Sequence, residues 1–251
     1  SLNQYSLSTL FLVSCSIENM TQITTISFFH YQGFVNKVWA FGMMQFAHKP
    51  LQNIRGQQFY KLMGSGKGMG FNPLPDWSTY CLLQVWDSEE HADHFFTNSI
   101  FFKKYQHRTK KIRSLYMKNI IAKGEWSGQC PFEKSSDLSE ENPQLAVITR
   151  ATIKLSKLAK FWSYVPTSHQ KLADNPGLIF TKGVGEIPII QMATFSLWQN
   201  KEALHAFAYQ GKEHAQAIKM TRELDWYKEE LFARFQVYKQ LGEGFEAQHL
   251  N

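Results

Sequence analysis

Apolar and polar positions run through this chain in two similar rounds. Ile23 to Phe29 and Leu145 to Ile153 are short runs rich in Ile, Val, Thr and Phe, the composition of strands. Each is followed by a stretch compatible with a helix, about 34–48 and 156–173. Ser156 reads as the N-cap of the second, and Asn175-Pro176-Gly177 as its stop. A second strand then leads into a glycine-rich turn, a third ends at a tryptophan, and a long helix and a final strand complete the round.

The third strand makes the repeat visible. Tyr80-Cys81-Leu82-Leu83-Gln84-Val85-Trp86 and Met192-Ala193-Thr194-Phe195-Ser196-Leu197-Trp198 each close on Trp and open a polar helix start. An offset of 112 also superposes Phe95 on Phe207. The order β-α-β-β-α-β builds a four-stranded antiparallel sheet with both helices on one face, and the other face is left bare. Two copies in one chain cover those bare faces with each other, closing a barrel-like core whose interior can hold a ligand. The expected class is therefore α+β, two tandem ferredoxin-like half-barrels. Residues 20–126 form the first, 144–251 the second, and 127–143, rich in Ser, Glu, Pro and Gly, the linker.

Composition agrees with a globular chain: 251 residues with twenty Phe and seven Trp supply enough apolar volume for a large core or an apolar pocket. The three cysteines are far apart and form no C-x-x-C pair, so neither a disulfide framework nor a zinc site is indicated and a reducing, cytoplasmic setting is expected. No run of eighteen apolar residues is free of charge. Residues 1–19 read as an extension ahead of Met20, disordered or foreign to the natural chain. Their run Leu10 to Cys15 is loosely like a lipoprotein signal but lacks a basic leader.

The net charge of +6 is concentrated. Lys103, Lys104, Arg108, Lys110, Lys111 and Arg113 interleave with Phe101, Phe102, Tyr105 and Ile112. A solvated helix face is the plain account of 101–113. Peripheral contact with an anionic inner membrane is the sharper one, and nucleic acid is disfavoured because no recognition motif accompanies the patch.

Two stretches invite a site. Gly64-Ser65-Gly66-Lys67-Gly68-Met69-Gly70 lacks Walker spacing, and with its counterpart Lys182-Gly183-Val184-Gly185-Glu186 it is read as a β-β connection, or else as a close backbone approach to a flat ligand. In the helix expected from about Asn200 to Asp225, Phe207, Gly211, His214 and Ile218 recur at i, i+4, i+7 and i+11. His214 thus points with the apolar residues and His205 away from them. A lone inward His is an ordinary core residue or a ligand, and no second ligand stands at zincin spacing. A haem would need one axial ligand and an apolar pocket.

The segments Gln191 to Trp198, Phe207-Ala208-Tyr209, His214-Ala215, Ala217-Ile218, Thr221-Arg222 and Trp226 to Phe235 resemble the spheroidene monooxygenase family of carotenoid ketolases. A weaker likeness runs through Tyr60 to Phe71 and Trp86. The resemblance implies a dimeric α/β-barrel fold, b-type haem with His214 as the axial ligand to iron, and dioxygen-dependent hydroxylation and ketone formation on a carotenoid, with electrons from a donor the sequence does not name. It also implies that Arg222 and Arg234 pair with haem propionates, the alternative being salt bridges to Glu223, Glu229 or Glu230. Gly211, Ile218 and Phe207 would border the cofactor. Two other readings stand beside it: a different haem reaction on the same barrel, aldoxime dehydratase-like or peroxidase-like, and a non-enzymatic haem or lipid carrier.

Overall fold

The structure, a computed structural model, describes residues 21–68, 74–164, 175–210 and 225–243. Residues 1–19 lie outside them. The first round of elements is β1 (Ile23–His30), α1 (Phe34–Phe46), α2 (His48–Leu51), β2 (Gln57–Gly66), β3 (Pro75–Trp86), α3 (Glu89–Asn98), α4 (Ile100–Arg108) and β4 (Lys111–Gly124). The second is β5 (Leu145–Ile153), α5 (Leu158–Tyr164), β6 (Leu178–Ile187), β7 (Gln191–Trp198), α6 (Lys201–Gln210) and β8 (Tyr227–Gly242). All neighbouring strands are antiparallel, and the order β1-β3-β2-β6-β7-β5-β8-β4 closes into a barrel. Each half alone has the order 4-1-3-2 of a ferredoxin-like sheet, as the element pattern predicts.

Strand alternation sorts side chains into two layers. Ile26, Phe28, Leu83, Phe195, Ala233 and Phe235 point inward and belong to one apolar cluster. Phe28 contacts Phe180 and Phe195 of the other half at centroid distances of 5.0 and 5.4 Å. Trp126 and Phe132, at and beyond the end of β4, are buried in the same cluster. Where the sequence suggests an interior open to a ligand, side chains fill it: an eight-stranded barrel holds either its own side chains or one small ligand, and here the aromatic cluster takes the space.

Outside the first sheet, Phe29, Tyr31, Leu62, Leu82, Phe95 and Tyr116 pack in a second cluster that seats α1, α3 and α4. The long helix expected in this half is broken in two at Ser99, whose hydroxyl caps α4 by accepting from the Phe102 amide at 3.3 Å. Outside the second sheet the described cluster is small, with Ile153, Phe161, Met192 and Trp226 as its buried members. Ser156 is no N-cap: it sits inside a 3₁₀ turn, Leu155–Lys157, that precedes α5. What the sequence suggests for 165–173 falls outside the described residues.

Candidate active site

The glycine-rich stretches are the first surprise. They are β-β connections only in part: Lys67 and Gly68 follow β2 toward β3, whereas Gly64 to Gly66 end β2, Gly183 and Gly185 lie within β6, and the two strands pair Gly64 with Gly185 and Ser65 with Val184. Glycine leaves this seam without side chains on its outer face, and an apolar cleft of about 260 Å³ opens over it. Phe41 and Met44 of α1, with Trp77 and Tyr80 of β3, form one wall; Trp162 of α5, Ile189 and Met192 form the other. Phe41 packs on Trp77 at 5.1 Å, and the Trp162 indole donates to the Ile189 carbonyl at 3.3 Å, so both walls are braced. A Cβ built on Gly64 would meet nothing within 4 Å.

Two carboxylates reach the cleft, and each is already held by a lysine. Asp76 accepts from Lys182 at 2.9 Å and Glu186 from Lys61 at 2.6 Å; Glu186 also accepts from the Trp126 indole at 2.7 Å. Burial pushes the Asp76 carboxyl up, but the Lys182 hydrogen bond and charge outweigh it and leave the group below its ordinary value. Deeper in the barrel Arg150, almost wholly buried, pairs with Glu229.

From the cleft floor the outer face of the second sheet continues across β7, β5 and β8. Its rows are Gly183, Thr194, Thr149 and Phe232, and beside them Thr181, Ser196, Val147 and Arg234. Register makes Gly183, Thr194 and Arg234 the counterparts of Leu62, Leu82 and Tyr116, all buried in the first half. Two leucines and a tyrosine are thereby exchanged for no side chain, a hydroxyl and a guanidinium. The Thr194 Oγ1 and Arg234 Nε atoms are buried and have no hydrogen-bond partner among the described residues, a costly state unless a further group meets them. Strand spacing of about 4.8 Å puts Arg234 roughly 14 Å from Gly183 along this face.

Of the residues expected at a cofactor, Arg234 is on that face. Its suggested partner Glu229 is in the opposite phase of β8 and is engaged by Arg150. Phe207 packs on Trp198 at 5.2 Å, as Phe95 does on Trp86 at 5.4 Å, so this pair anchors a helix in both halves. His214, Gly211, Ile218 and Arg222 lie outside the described residues. The sequence reading missed Asp76, Lys182, Lys61, Glu186 and Arg150. Arg150 carried a visible signal, the one charged residue of β5, in phase with Ala146 and Ile148.

Two ferredoxin-like halves closed into one eight-stranded barrel, with an apolar cleft along an outer seam, define a protein of the dimeric α/β-barrel fold. No family model matches the chain. The spheroidene monooxygenase of Cereibacter sphaeroides is 34% identical over 222 residues, covering 88% of this chain and 68% of the relative. That of Rhodobacter capsulatus is 34% identical over 217 residues, 86% of this chain and 90% of the relative. The Rubrivivax gelatinosus protein of the same name is 29% identical over 199 residues, 79% and 76% of the two chains. The chain belongs to the spheroidene monooxygenase family, and is thereby an oxygen-dependent monooxygenase, an oxidoreductase. Among solved structures, aldoxime dehydratase superposes with a TM-score of 0.56 at 10% identity, over 90% of this chain and 85% of that one. A structure of an aldoxime dehydratase in complex with butyraldoxime gives 0.59 at 10% identity, over 90% and 83%. At that identity the likeness is one of fold.

Proposed function

We propose that the protein oxidises a carotenoid-like polyene by hydroxylation and then ketone formation, with b-type haem as cofactor, dioxygen as co-substrate and an external electron donor. The relatives' name supplies the substrate class, and the observation that carries it to this chain is the glycine-floored apolar cleft. A flat, extended hydrocarbon needs a floor it can lie against and walls that exclude water. Gly64 and Gly185 provide the first, and Phe41, Trp77 and Trp162 the second.

The described residues fit a flat, carboxylate-bearing cofactor beside that cleft. The sheet face lacks the bulk that Leu62 and Leu82 give the first half, and Arg234 brings to it a buried Nε without a partner among the described residues. In this reading His214 would hold the haem iron, Arg222 and Arg234 would pair with the propionates, and Gly211, Ile218 and the Phe207 ring that packs on Trp198 would border the group. A bound haem supplies the oxygen activation. The chain's own part is to orient the polyene, hold water off the walls, and keep Asp76 and Glu186 neutralised by Lys182 and Lys61 so that no free carboxylate faces a hydrocarbon.

The test is an absorption spectrum of the full chain expressed with haem precursor, before and after dithionite. The expected result is a Soret band that shifts on reduction and is lost in His214→Ala. Full haem loading in that variant overturns the ligand assignment, and the lack of any band after haem titration overturns the cofactor.

A further inference from the structure

Around the mouth of the cleft the surface departs from that of an ordinary water-soluble domain. Phe34, Val38 and Phe41 recur at i, i+4 and i+7 on α1 and are 82%, 53% and 56% exposed; Val35 beside them is 69% exposed. Trp77, packed on Phe41, is about half exposed, as are Ile187 and Ile189 across the mouth, and Leu155 ahead of α5 is open to solvent. Phe41, Trp77 and Ile189 also line the cleft, so the exposed apolar belt is continuous with its interior. A contiguous apolar surface of this kind marks a binding face.

Charge identifies what it binds. No Asp or Glu occurs from Met20 to Pro75, nor from Asn142 to Ala173, the two stretches that carry α1 and α5. Lys49, Lys67 and Lys160 are exposed there, with Lys37 and Lys157 half-buried. The two carboxylates within the cleft are neutralised by Lys61 and Lys182. An apolar belt edged by lysines, with its two carboxylates each paired to a lysine, matches the interface of an anionic bilayer, into which aromatic and aliphatic side chains sink while ammonium groups stay among the headgroups. The basic 101–113 segment does not offer this combination. Phe102 and Tyr105 are buried in the core, and α4 turns Lys103 and Lys104 to water with Ile100 as its one large exposed apolar side chain.

The geometry points to a membrane-docking face formed by α1, the start of β3 and the β6–β7 turn, which seats the cleft mouth on an anionic lipid surface so that an apolar ligand passes from bilayer to cleft without crossing water. Docking stands apart from the oxidation chemistry and is read without turnover. In a flotation assay, the full chain is mixed with vesicles of phosphatidylcholine alone or with phosphatidylglycerol, and tryptophan emission is recorded alongside. The expected result is binding to the anionic vesicles with a blue shift, weakened roughly tenfold or more by the double substitution Phe34→Asp and Val38→Asp. Neither residue lines the cleft, and circular dichroism checks that the variant is folded. Lys103→Glu with Lys104→Glu serves as the control and is expected to change binding little. Undiminished binding by the α1 variant, loss of binding in the α4 control alone, or no binding by the parent chain overturns the proposal. So does an apolar face that instead mediates a concentration-dependent dimer, seen in sedimentation and abolished by the α1 substitutions.

Discussion

Lys182 is an amine on the inward phase of β6, among Phe180 and Val184, and Asp76 is the group that makes this tolerable. Breaking such a pair from one side leaves a buried charge without compensation, which costs roughly 3 kcal/mol or more. Lys182→Met should therefore unfold at distinctly lower urea than the parent at neutral pH. The sign with pH follows from Asp76. Its carboxyl is held below the ordinary value of 3.8 in the fold, so the pair's contribution is present above that value and lost as pH falls through the lowered one. In Lys182→Met the carboxyl loses the lysine's hydrogen bond and charge and keeps only the Ser78 and Thr79 hydrogen bonds against burial, so it titrates above its value in the parent. Its deficit relative to the parent should shrink on acidification, and a deficit independent of pH would show that Lys182 acts through packing alone. None of this pairing was legible in the sequence, because Asp76 and Lys182 meet only when the two halves close. Arg234 was legible as a motif residue, but its placement opposite the phase of Glu229 needed the register of β8.

At the scale of elements, the chain was readable where one residue type has one physical role. Trp86 and Trp198 end equivalent strands, and Phe95 and Phe207 bind equivalent helices to them, so a spacing of 112 was enough to reveal the duplicated half. It was misread where a residue serves two roles. Glycine signals a turn by its freedom at positive φ and a cleft floor by its missing side chain, and the stretches around Gly64 and Gly185 use the second. The two positions should respond differently to a methyl group. At Gly185 a Cβ would stand 2.4 Å from the Gln191 carbonyl oxygen, so Gly185→Ala must part β6 from β7 and should cost about 1–3 kcal/mol in denaturant unfolding. Gly64→Ala meets open space and should leave stability within about 0.5 kcal/mol of the parent, while the methyl rises from the cleft floor and raises KM for a long apolar substrate. An unchanged KM with intact folding would show that the polyene does not lie over Gly64.

The whole molecule is closed by two seams of unequal strength. From Arg113 with Gly242 to Gly124 with Leu231, β4 and β8 stay paired along nearly their full length. On the other side β2 and β6 pair at Gly64 with Gly185 and Ser65 with Val184, and a register shift in β6 follows directly, between Gly185 and Ile187. Fewer ladder bonds and glycine on both strands make this second seam the low-energy place for the barrel to open, since local opening follows the density of buried contacts and backbone bonds. The cleft lies over the same seam, so the side through which a ligand enters is also the side that yields most readily. Hydrogen exchange can read this directly. Amides of Ser65 and Val184 should exchange well before those of Leu115, Met117, Phe235 and Val237, and filling the cleft with an apolar ligand should slow the first pair while leaving the second group unchanged. Equal protection at both seams would mean that the barrel opens only by global unfolding, and that the cleft admits its ligand with the walls as they stand.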